Sequence, residues 1–386
     1  MKIITDWKKI IKCWCNNPEQ GAIDQAINLS NLPFIYKYVA LMADTHQWYW
    51  MPIGWVIATK WVIIPNAVWV DIWCGMIAVK TSLATLEKET IKNIIEWIKN
   101  VIPVWFNRQS ELQDKSVMPE YNTITKYWVV WENYEKARWS IWTLWWWNHF
   151  IEIQEGSDWY IWIMVHSWSR NLWKQVADYY NKVAKELNKQ YHTLVPKEYD
   201  LAFLPIDSEE WQDYIGEMNY CVNYALANRQ LMMERIKEVF KNNTPSLFEK
   251  EINIAHNYAR LENHWWGNVW VHRKWATSAR EWELWIIPGS QWTKSYIVRW
   301  KGNKESFMSC SHWAWRNMSR TQAIKQLDLE AEIKLLDDQW IIHWIRSKKD
   351  LDEASSAYKD IDVVMEEQKD LVDIVVELTP LAVIKW

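Results

Sequence analysis

Glycine is scarce in this chain: 8 in 386 residues, beside 35 tryptophans, where an average protein carries about 7% glycine. That shortage excludes ordinary chemistry at turns that need a positive φ or a close backbone approach, unless another residue type stands in for glycine. Other absences narrow the class further. No stretch approaches the ~20 apolar residues of a membrane span, and Met1 to Asn16 has no apolar leader. No Pro/Gly/Ser linker, low-complexity tract or internal repeat marks a boundary, so one domain over residues 1–386 is expected. The 5 cysteines, at 13, 15, 74, 221 and 310, form no disulfide framework, and an odd count without a leader predicts a reducing cytoplasm. Cys13-Trp14-Cys15 has one residue between its thiols and so lacks the two-residue spacing of a zinc knuckle. A net charge of −4 excludes a wholly basic nucleic-acid binder. It leaves room for a local stripe of Arg273, Lys274, Arg280, Lys294, Arg299, Lys301, Lys304, Arg316 and Arg320, within which Glu305 is the only acid between residues 284 and 324.

What is present in excess is tryptophan, and it sits where glycine belongs. Trp145-Trp146-Trp147 precede Asn148-His149, Trp313 and Trp315 flank Ala314 after His312, and Trp73 lies between Asp71 and Cys74. Three consecutive indoles in a loop would each need apolar cover and a partner for the ring N–H, whereas glycine meets the local need without either. The simplest account is that UGA codons are written as Trp where the source reads them as Gly. Positions 48, 50, 55, 61, 69, 73, 142, 145–147, 168, 275, 285, 292, 313, 315, 340, 344 and 386 fit it. Trp270, alternating in an apolar run, is the best candidate for a genuine tryptophan. Overpacking costs ~1–3 kcal/mol per site against a total stability of ~5–15 kcal/mol. The chain as written is therefore expected to fold poorly.

Apolar periodicity predicts strands at Val56 to Ala58, Val62 to Ile64, Met76 to Val79, Phe150 to Gln154 and Tyr160 to Val165. It predicts helices at Ser82 to Val101, Leu172 to Gln190, Tyr220 to Asn242 and Leu247 to Glu262, with two more within Asp352 to Glu377. Short strands and turns fill residues 270–320. The mixture indicates an α/β class, with α+β as the variant, built as a single large mixed-sheet domain.

Several residues carry chemistry. Asp71-x-x-Cys74, His149, His166 and His256 form a list of metal-ligand types, and ligand softness alone leans toward zinc. Each is individually weak: His166 closes an apolar strand as a structural histidine would, and His256 lies at helical spacing from Ile252 and Arg260. His312 is followed by a segment that becomes His-Gly-Ala-Gly-Arg on the glycine reading. Bare backbone beside an imidazole suits covalent attack on phosphorus, with the arginine stabilising phosphate charge. The segment Pro288-Gly289-Ser290-Gln291, followed by Thr293, Lys294 and Ser295, is rich in hydroxyls and N–H groups that suit phosphate, but it is not a Walker A motif.

With tryptophan read as glycine, Val68 to Ala78 becomes VGVDIGCGMIA and residues 142–154 become GTLGGGNHFIEIQ. Residues 165–170 become VHSGSR, residues 271–277 become VHRKGAT and residues 311–316 become SHGAGR. Asp352-Glu353-Ala354 and Ala357-Tyr358-Lys359-Asp360 need no correction. These ordered motifs, from about Asp44 to the last residue, closely resemble the RtcB-type RNA-splicing ligases.

The resemblance implies a GTP- and manganese-dependent RNA ligase that joins a 3′-phosphate or 2′,3′-cyclic phosphate end to a 5′-hydroxyl, in tRNA splicing or RNA repair. By the family pattern Asp71, Cys74, His149, His166 and His256 match the ligands of a two-manganese site, which replaces the lean toward zinc. His312 matches the guanylylated residue. Asn148, His149, Phe150, Ile151, Glu152, His256, Asn257, Pro288 to Gln291 (Gly289 and Ser290 included), Ser295, His312 to Trp315 (Trp313 and Ala314 included) and Lys385 match the guanine-nucleotide pocket. Arg170, Arg316 and Arg320 match arginines that meet RNA phosphates. The expected partner is RNA with those ends, handled by a monomer away from membranes and open to an accessory protein. Two alternatives use parts of the same set. A two-metal phosphoesterase would not need His312, and a non-catalytic RNA-binding relic would need only the arginines.

Overall fold

The structure is a computed structural model that describes every residue except 6–7, 49–50, 69–73, 104–108, 122–125, 145–148, 169–171 and 386. Two large sheets dominate. The first contains β1 (Lys2–Ile4), β2 (Ile10–Cys13), β3 (Ile35–His46), β4 (Ile53–Thr59), β11 (Tyr258–His264) and β12 (Gly267–Lys274), in the order β1-β2-β3-β4-β12-β11. The second contains β6 (Gly75–Lys80), β7 (Phe150–Gly156), β8 (Ile161–Ser167), β10 (Ile252–Ala255), β14 (Leu284–Pro288), β15 (Ser295–Trp300) and β17 (Val372–Ile384), in the order β10-β6-β8-β7-β17-β15-β14. Two small pairs complete the set: β5 (Val62–Ile63) with β9 (Leu204–Pro205), and β13 (Ala276–Ser278) with β16 (Ser309–Ser311). The helices are α1 (Gln20–Ser30), α2 (Pro65–Val68), α3 (Lys88–Val101), α4 (Trp128–Ser140), α5 (Leu172–Gln190), α6 (Glu209–Asn243), α7 (Arg320–Gln326), α8 (Leu329–Asp338) and α9 (Ile361–Glu367).

Strand alternation sorts the side chains into layers, because successive residues of a strand point to opposite faces. From the first sheet Ala40, Met42, Val56 and Ala58 join Met76, Ala78, Phe150 and Met164 of the second in one core between the sheets. The opposite parity of the second sheet, Ile77, Val79, Ile151, Ile153, Ile163 and Val165, packs under Ile91, Ile94 and Ile98 of α3 and Met232, Ile236 and Phe240 of α6. On the outer face of the first sheet Val39, Leu41, Trp55 and Ile57 meet Ala26 and Leu29 of α1. A further apolar layer joins α4, α5 and α6 through Val130, Tyr134, Val176, Tyr180 and Tyr214. The mixed α/β expectation holds, and among the described strand pairs only β2 with β3 is parallel. No described helix is long and apolar enough to cross a membrane.

Three expectations about elements need correction. Leu247 to Glu262 is not helical: it supplies β10 and the first half of β11, because Ile252 and Ile254 alternate with Asn253 along an edge strand paired to β6. In Asp352 to Glu377 only α9 is a regular α-helix, and Val372 onward is the long strand β17 that joins β15 to β7. The basic stripe is not one continuous surface, although Arg299, Lys301 and Lys304 are exposed. Arg273 and Lys274 are buried, Lys294 pairs with Glu377 at 3.0 Å, and Lys301 pairs with Asp373 at 2.7 Å.

The glycine shortage is visible in the backbone. Trp61, Trp142, Trp159, Trp265, Trp266, Trp275, Trp282 and Trp340 all have positive φ, a region that bulky side chains occupy only under strain. Trp265 (φ 52°) and Trp266 (φ 67°) form the two-residue connection between paired His264 and Gly267. Two positive φ values there define a tight hairpin turn that favours Asn-Gly or Gly-Gly. Elsewhere the conflict is burial: Trp55, Trp292 and Trp313 are at most 1% exposed, and their ring N–H groups have no partner among the described residues. Trp270 lies inside β12 without a positive φ, in keeping with a genuine tryptophan.

Candidate active site at the strand ends

Antiparallel pairing places the end of one strand beside the start of its neighbour, and four adjacent strands of the second sheet use this to gather one thiol and three imidazoles. Cys74 immediately precedes β6, His149 precedes β7, His166 is the next-to-last residue of β8, and His256 follows β10. The register fixes their proximity: Gly75 pairs with Ser167 and Ala255, Met76 with His166, and Phe150 with His166. The His256 N–H donates to the Cys74 carbonyl at 3.0 Å. His166 shares strand parity with inward-facing Met164, so its ring points between the sheets.

All four side chains are buried. Cys74 Sγ lies 3.4 Å from His149 Nε2, and the ligand atoms of Cys74, His166 and His256 lie within 4.8 Å of one another. The His149 and His166 rings are 5.0 Å apart, and those of His166 and His256 are 5.8 Å apart. Burial, then the neighbouring His312 and His166 rings, holds His256 well below the usual imidazole range, so it is neutral and able to ligate. Asp71 lies outside the described residues, as do Asn148 and Arg170.

His312 follows β16 and joins the row of rings, 4.4 Å from His256. Its Nδ1 lies 2.7 Å from the Trp275 carbonyl. A carbonyl only accepts, so Nδ1 carries the proton and the lone pair is on Nε2. That Nε2 is buried and has no hydrogen-bond partner among the described residues. Asp44 Oδ2 lies 3.7 Å from Nδ1, and neither Asp44 carboxylate oxygen has a hydrogen-bond partner among the described residues. This residue was not among the sequence candidates. Its signal was a buried polar run, Asp44-Thr45-His46, closing an otherwise apolar strand.

The pocket residues cluster on the adjoining strands. Glu152 on β7 is buried, and burial pushes its carboxyl well above the usual range. Its Oε2 accepts from Gln154 Nε2 at 2.7 Å, and the same amide reaches Ser295 Oγ at 3.2 Å. Ile384 pairs with Ile151, which brings Lys385 to the same sheet end. Burial lowers the Lys385 ammonium to about 8, although Glu353 and Asp352 pull it upward; its Nζ has no hydrogen-bond partner among the described residues. The turn after β14 is buried at Ser290 and Gln291, and the Ala314 N–H donates to the Pro288 carbonyl at 3.2 Å, tying that turn to His312. Asn257, at φ 67°, accepts from the Trp275 N–H through its side chain. Arg316 and Arg320 both grip Glu353, at 2.9 and 2.6 Å. Burial raises the Glu353 carboxyl, but Arg320, Lys385 and Arg316 together hold it at about 2.

Indoles stand among these groups. Trp313 lies 4.7 Å from the His166 ring and 5.7 Å from Phe150. Trp168 lies 4.9 Å from His149, Trp275 lies 5.1 Å from His312, and Trp315 stacks on His46 at 5.1 Å.

A model of the family described as tRNA-splicing ligase RtcB matches residues 25–143 and 140–386. The chain is 35% identical over 413 aligned positions to the RNA-splicing ligase RtcB of Escherichia coli K12, covering 100% of this chain and 99% of that protein. It is 29% identical to the tRNA-splicing ligase RtcB of Thermococcus kodakarensis, with 95% and 91% covered. Against the RNA-splicing ligase RtcB of Mycobacterium tuberculosis it is 27% identical, with 94% and 100% covered.

Proposed function

The chain belongs to the RtcB family of RNA-splicing ligases, and from that premise we propose that it is a GTP- and manganese-dependent RNA ligase. It joins 3′-phosphate or 2′,3′-cyclic phosphate ends to 5′-hydroxyl ends through a guanylylated His312. One observation carries the reading: His312 is held as the Nδ1–H tautomer by the Trp275 carbonyl, so its buried Nε2 lone pair lies bare beside a thiol and imidazole cluster.

The donor set fits a divalent ion. Cys74, His149, His166 and His256 would hold it, with Asp71 as the further carboxylate, and manganese when bound neutralises phosphate charge. Nε2 attacks the α-phosphorus of GTP, forming a P–N bond while the bond to pyrophosphate breaks. The Nδ1 proton stays on the ring, donated to the Trp275 carbonyl, and that carbonyl with the Asp44 carboxylate 3.7 Å away stabilises the positive charge that develops on the imidazole. Glu152, Ser295, the Pro288 to Gln291 turn and Lys385 hold the guanine nucleotide. Water first opens a cyclic phosphate to a 3′-phosphate. An oxygen of that phosphate then takes GMP from His312, and the 5′-hydroxyl displaces GMP to form the new phosphodiester. Arg316, Arg320 and Arg170 meet the RNA phosphates.

Glycine at positions 168, 275, 313 and 315 would clear the indoles from this space, and the chain with glycine at every position that fits the UGA reading is the protein to test. Incubated with GTP labelled in the α-phosphate and with manganese, it should form an acid-labile covalent adduct that chases into joined RNA. An adduct on His312→Ala would reject the reading.

A further inference from the structure

Cys74, His166 and His256 lie at the ends of three neighbouring strands, where register and the bond from the His256 N–H to the Cys74 carbonyl bring the backbones together. One buried side chain outside that set touches all three of the strands that carry Cys74, His166 and His256. Arg229, in the middle of α6, is fully buried. Its Nε donates to Asn253 Oδ1 on β10 at 3.0 Å, three residues before His256. Its Nη1 donates to the Ser167 carbonyl at 3.2 Å, the residue after His166. The third contact explains one of the few glycines: a Cβ on Gly75, beside Cys74, would lie 2.5 Å from Arg229 Cζ and 2.2 Å from the Ile254 carbonyl. Only a bare Cα lets the guanidinium lie against the start of β6. The neighbouring Asn228 adds a second clamp on the same loop, donating to Ser167 Oγ at 3.0 Å and to the Trp168 carbonyl at 3.2 Å.

A buried guanidinium is costly unless its donors are satisfied, and a cation beside a site for divalent ions opposes their binding. Its presence there needs a compensating role. We propose that Arg229 is a positioning residue for the metal cluster. Its planar fork spaces the starts and ends of β6, β8 and β10 so that Cys74, His166 and His256 converge. The geometry is that of an outer-shell partner, whose removal typically weakens metal affinity about 10- to 100-fold. Lysine is a compact point charge without the planar fork that spans acceptors on separate strands, so it should restore only part of the loss.

The inference rests on the metal reading of the cluster, and the test separates the two. Manganese alone is titrated into the full-length glycine-read chain and its variants, with binding followed by calorimetry and by the electron paramagnetic signal of free manganese. The parent should bind. Arg229→Gln should bind at least ~10-fold more weakly, with Arg229→Lys between the two. Met232→Ala, a buried cavity variant one turn further along α6, should lower thermal stability without changing affinity. Asn253→Ala removes the Nε acceptor and should weaken binding by itself, which keeps the idea testable where Arg229→Gln does not fold. A parent that binds no manganese overturns both readings. Parent-like affinity in Arg229→Gln or in Asn253→Ala, or an equal loss in Met232→Ala, overturns the positioning role alone.

Discussion

Two buried polar clusters in this molecule have opposite hydrogen-bonding states. At the β11–β12 hairpin, Glu262 takes Arg273 Nη1 at 2.6 Å, Arg273 Nη2 at 3.0 Å and His264 Nε2 at 2.9 Å, and Arg273 also donates to Ser309 Oγ and the Phe307 carbonyl. Burial raises the Glu262 carboxyl, yet Arg273 and His264 bring it to about 2. At the strand ends, both Asp44 carboxylate oxygens, Glu152 Oε1, His256 Nε2, His312 Nε2 and Lys385 Nζ are equally buried and have no hydrogen-bond partner among the described residues. Buried polar atoms are nearly always satisfied in native proteins. The hairpin cluster is satisfied internally, whereas the strand-end cluster has spare capacity that the proposed nucleotide and metal would use. Burial and charge are common to both, and unmet hydrogen-bonding capacity is where they differ.

The largest expected effects fall on the strand-end cluster. His312→Ala should abolish the guanylylated adduct altogether while leaving manganese binding near the parent level, since its Nε2 is proposed as nucleophile rather than ligand. Cys74→Ala should lower bound manganese and ligation together, checked by metal analysis of the purified protein and by strand joining. Full ligation by Cys74→Ala would remove the thiolate from the mechanism. In the parent, metal binding should weaken as pH falls, because thiolate and imidazole must be deprotonated to ligate.

The hairpin cluster should behave in the reverse way. Arg273→Met leaves the Glu262 carboxylate buried beside only His264, and breaking a buried pair from one side typically costs ~3–5 kcal/mol. Chemical denaturation should show that loss, with manganese affinity and adduct formation on the surviving folded protein unchanged. Loss of metal binding instead would mean that the hairpin is part of the active centre.

The two clusters were not equally legible in the sequence. His149, His166 and His312 could be identified because each adjoins a segment that makes sense only with glycine beside it, and the structure brings all three together. His256 was identified as a residue but placed on a helix: Ile252, His256 and Arg260 fit a helical period, and only the pairing of β10 with β6 reveals an edge strand. Asp44 and Arg229 carried no such spacing. Their roles depend on side chains reaching strand ends that come together only when the sheets pack. Arg273 was read as part of a basic surface, because a sequence shows charge without showing that Glu262, eleven positions earlier, faces it across a hairpin.

Glu217 lies between the two extremes and sharpens the comparison. It accepts the Val129 and Val130 N–H groups at the start of α4, at 3.0 and 3.3 Å, and its charged neighbours Asp213 and Glu132 are acidic. Burial therefore outweighs those bonds and raises its carboxyl to about 7. A folded-state value above the ordinary 4.5 means that the protonated form is favoured in the fold. Its contribution is present at low pH and is lost as pH rises through about 7, a change of roughly 3 kcal/mol. The parent should lose thermal stability between pH 5 and pH 8, and Glu217→Gln should flatten that decline. An equal slope in both would show that another group sets it.

The smallest expected effects test the tryptophans, which stand beside both clusters: Trp168, Trp275 and Trp313 among the strand-end rings, and Trp265 and Trp266 at the turn of the β11–β12 hairpin. Trp266 and Trp282 have φ of 67° and 72° and are 99% and 72% exposed, so replacing either by glycine forfeits little buried apolar area. It relieves a backbone strain of order 1–3 kcal/mol, offset in part by the extra freedom that glycine gives the unfolded chain. Each of Trp266→Gly and Trp282→Gly should therefore stabilise the chain by about 1 kcal/mol in urea denaturation. Trp270→Gly, in the interior of β12 and without a positive φ, should destabilise it. This opposition in sign separates indoles that stand in glycine positions from one that belongs. Measured on the natural protein, peptides across residues 139–170 should have glycine masses at positions 145–147, and the gene should carry UGA there. Indole-containing peptides at those positions, or destabilisation by Trp266→Gly, would return the tryptophans to the native sequence and take the proposed ligase chemistry with them.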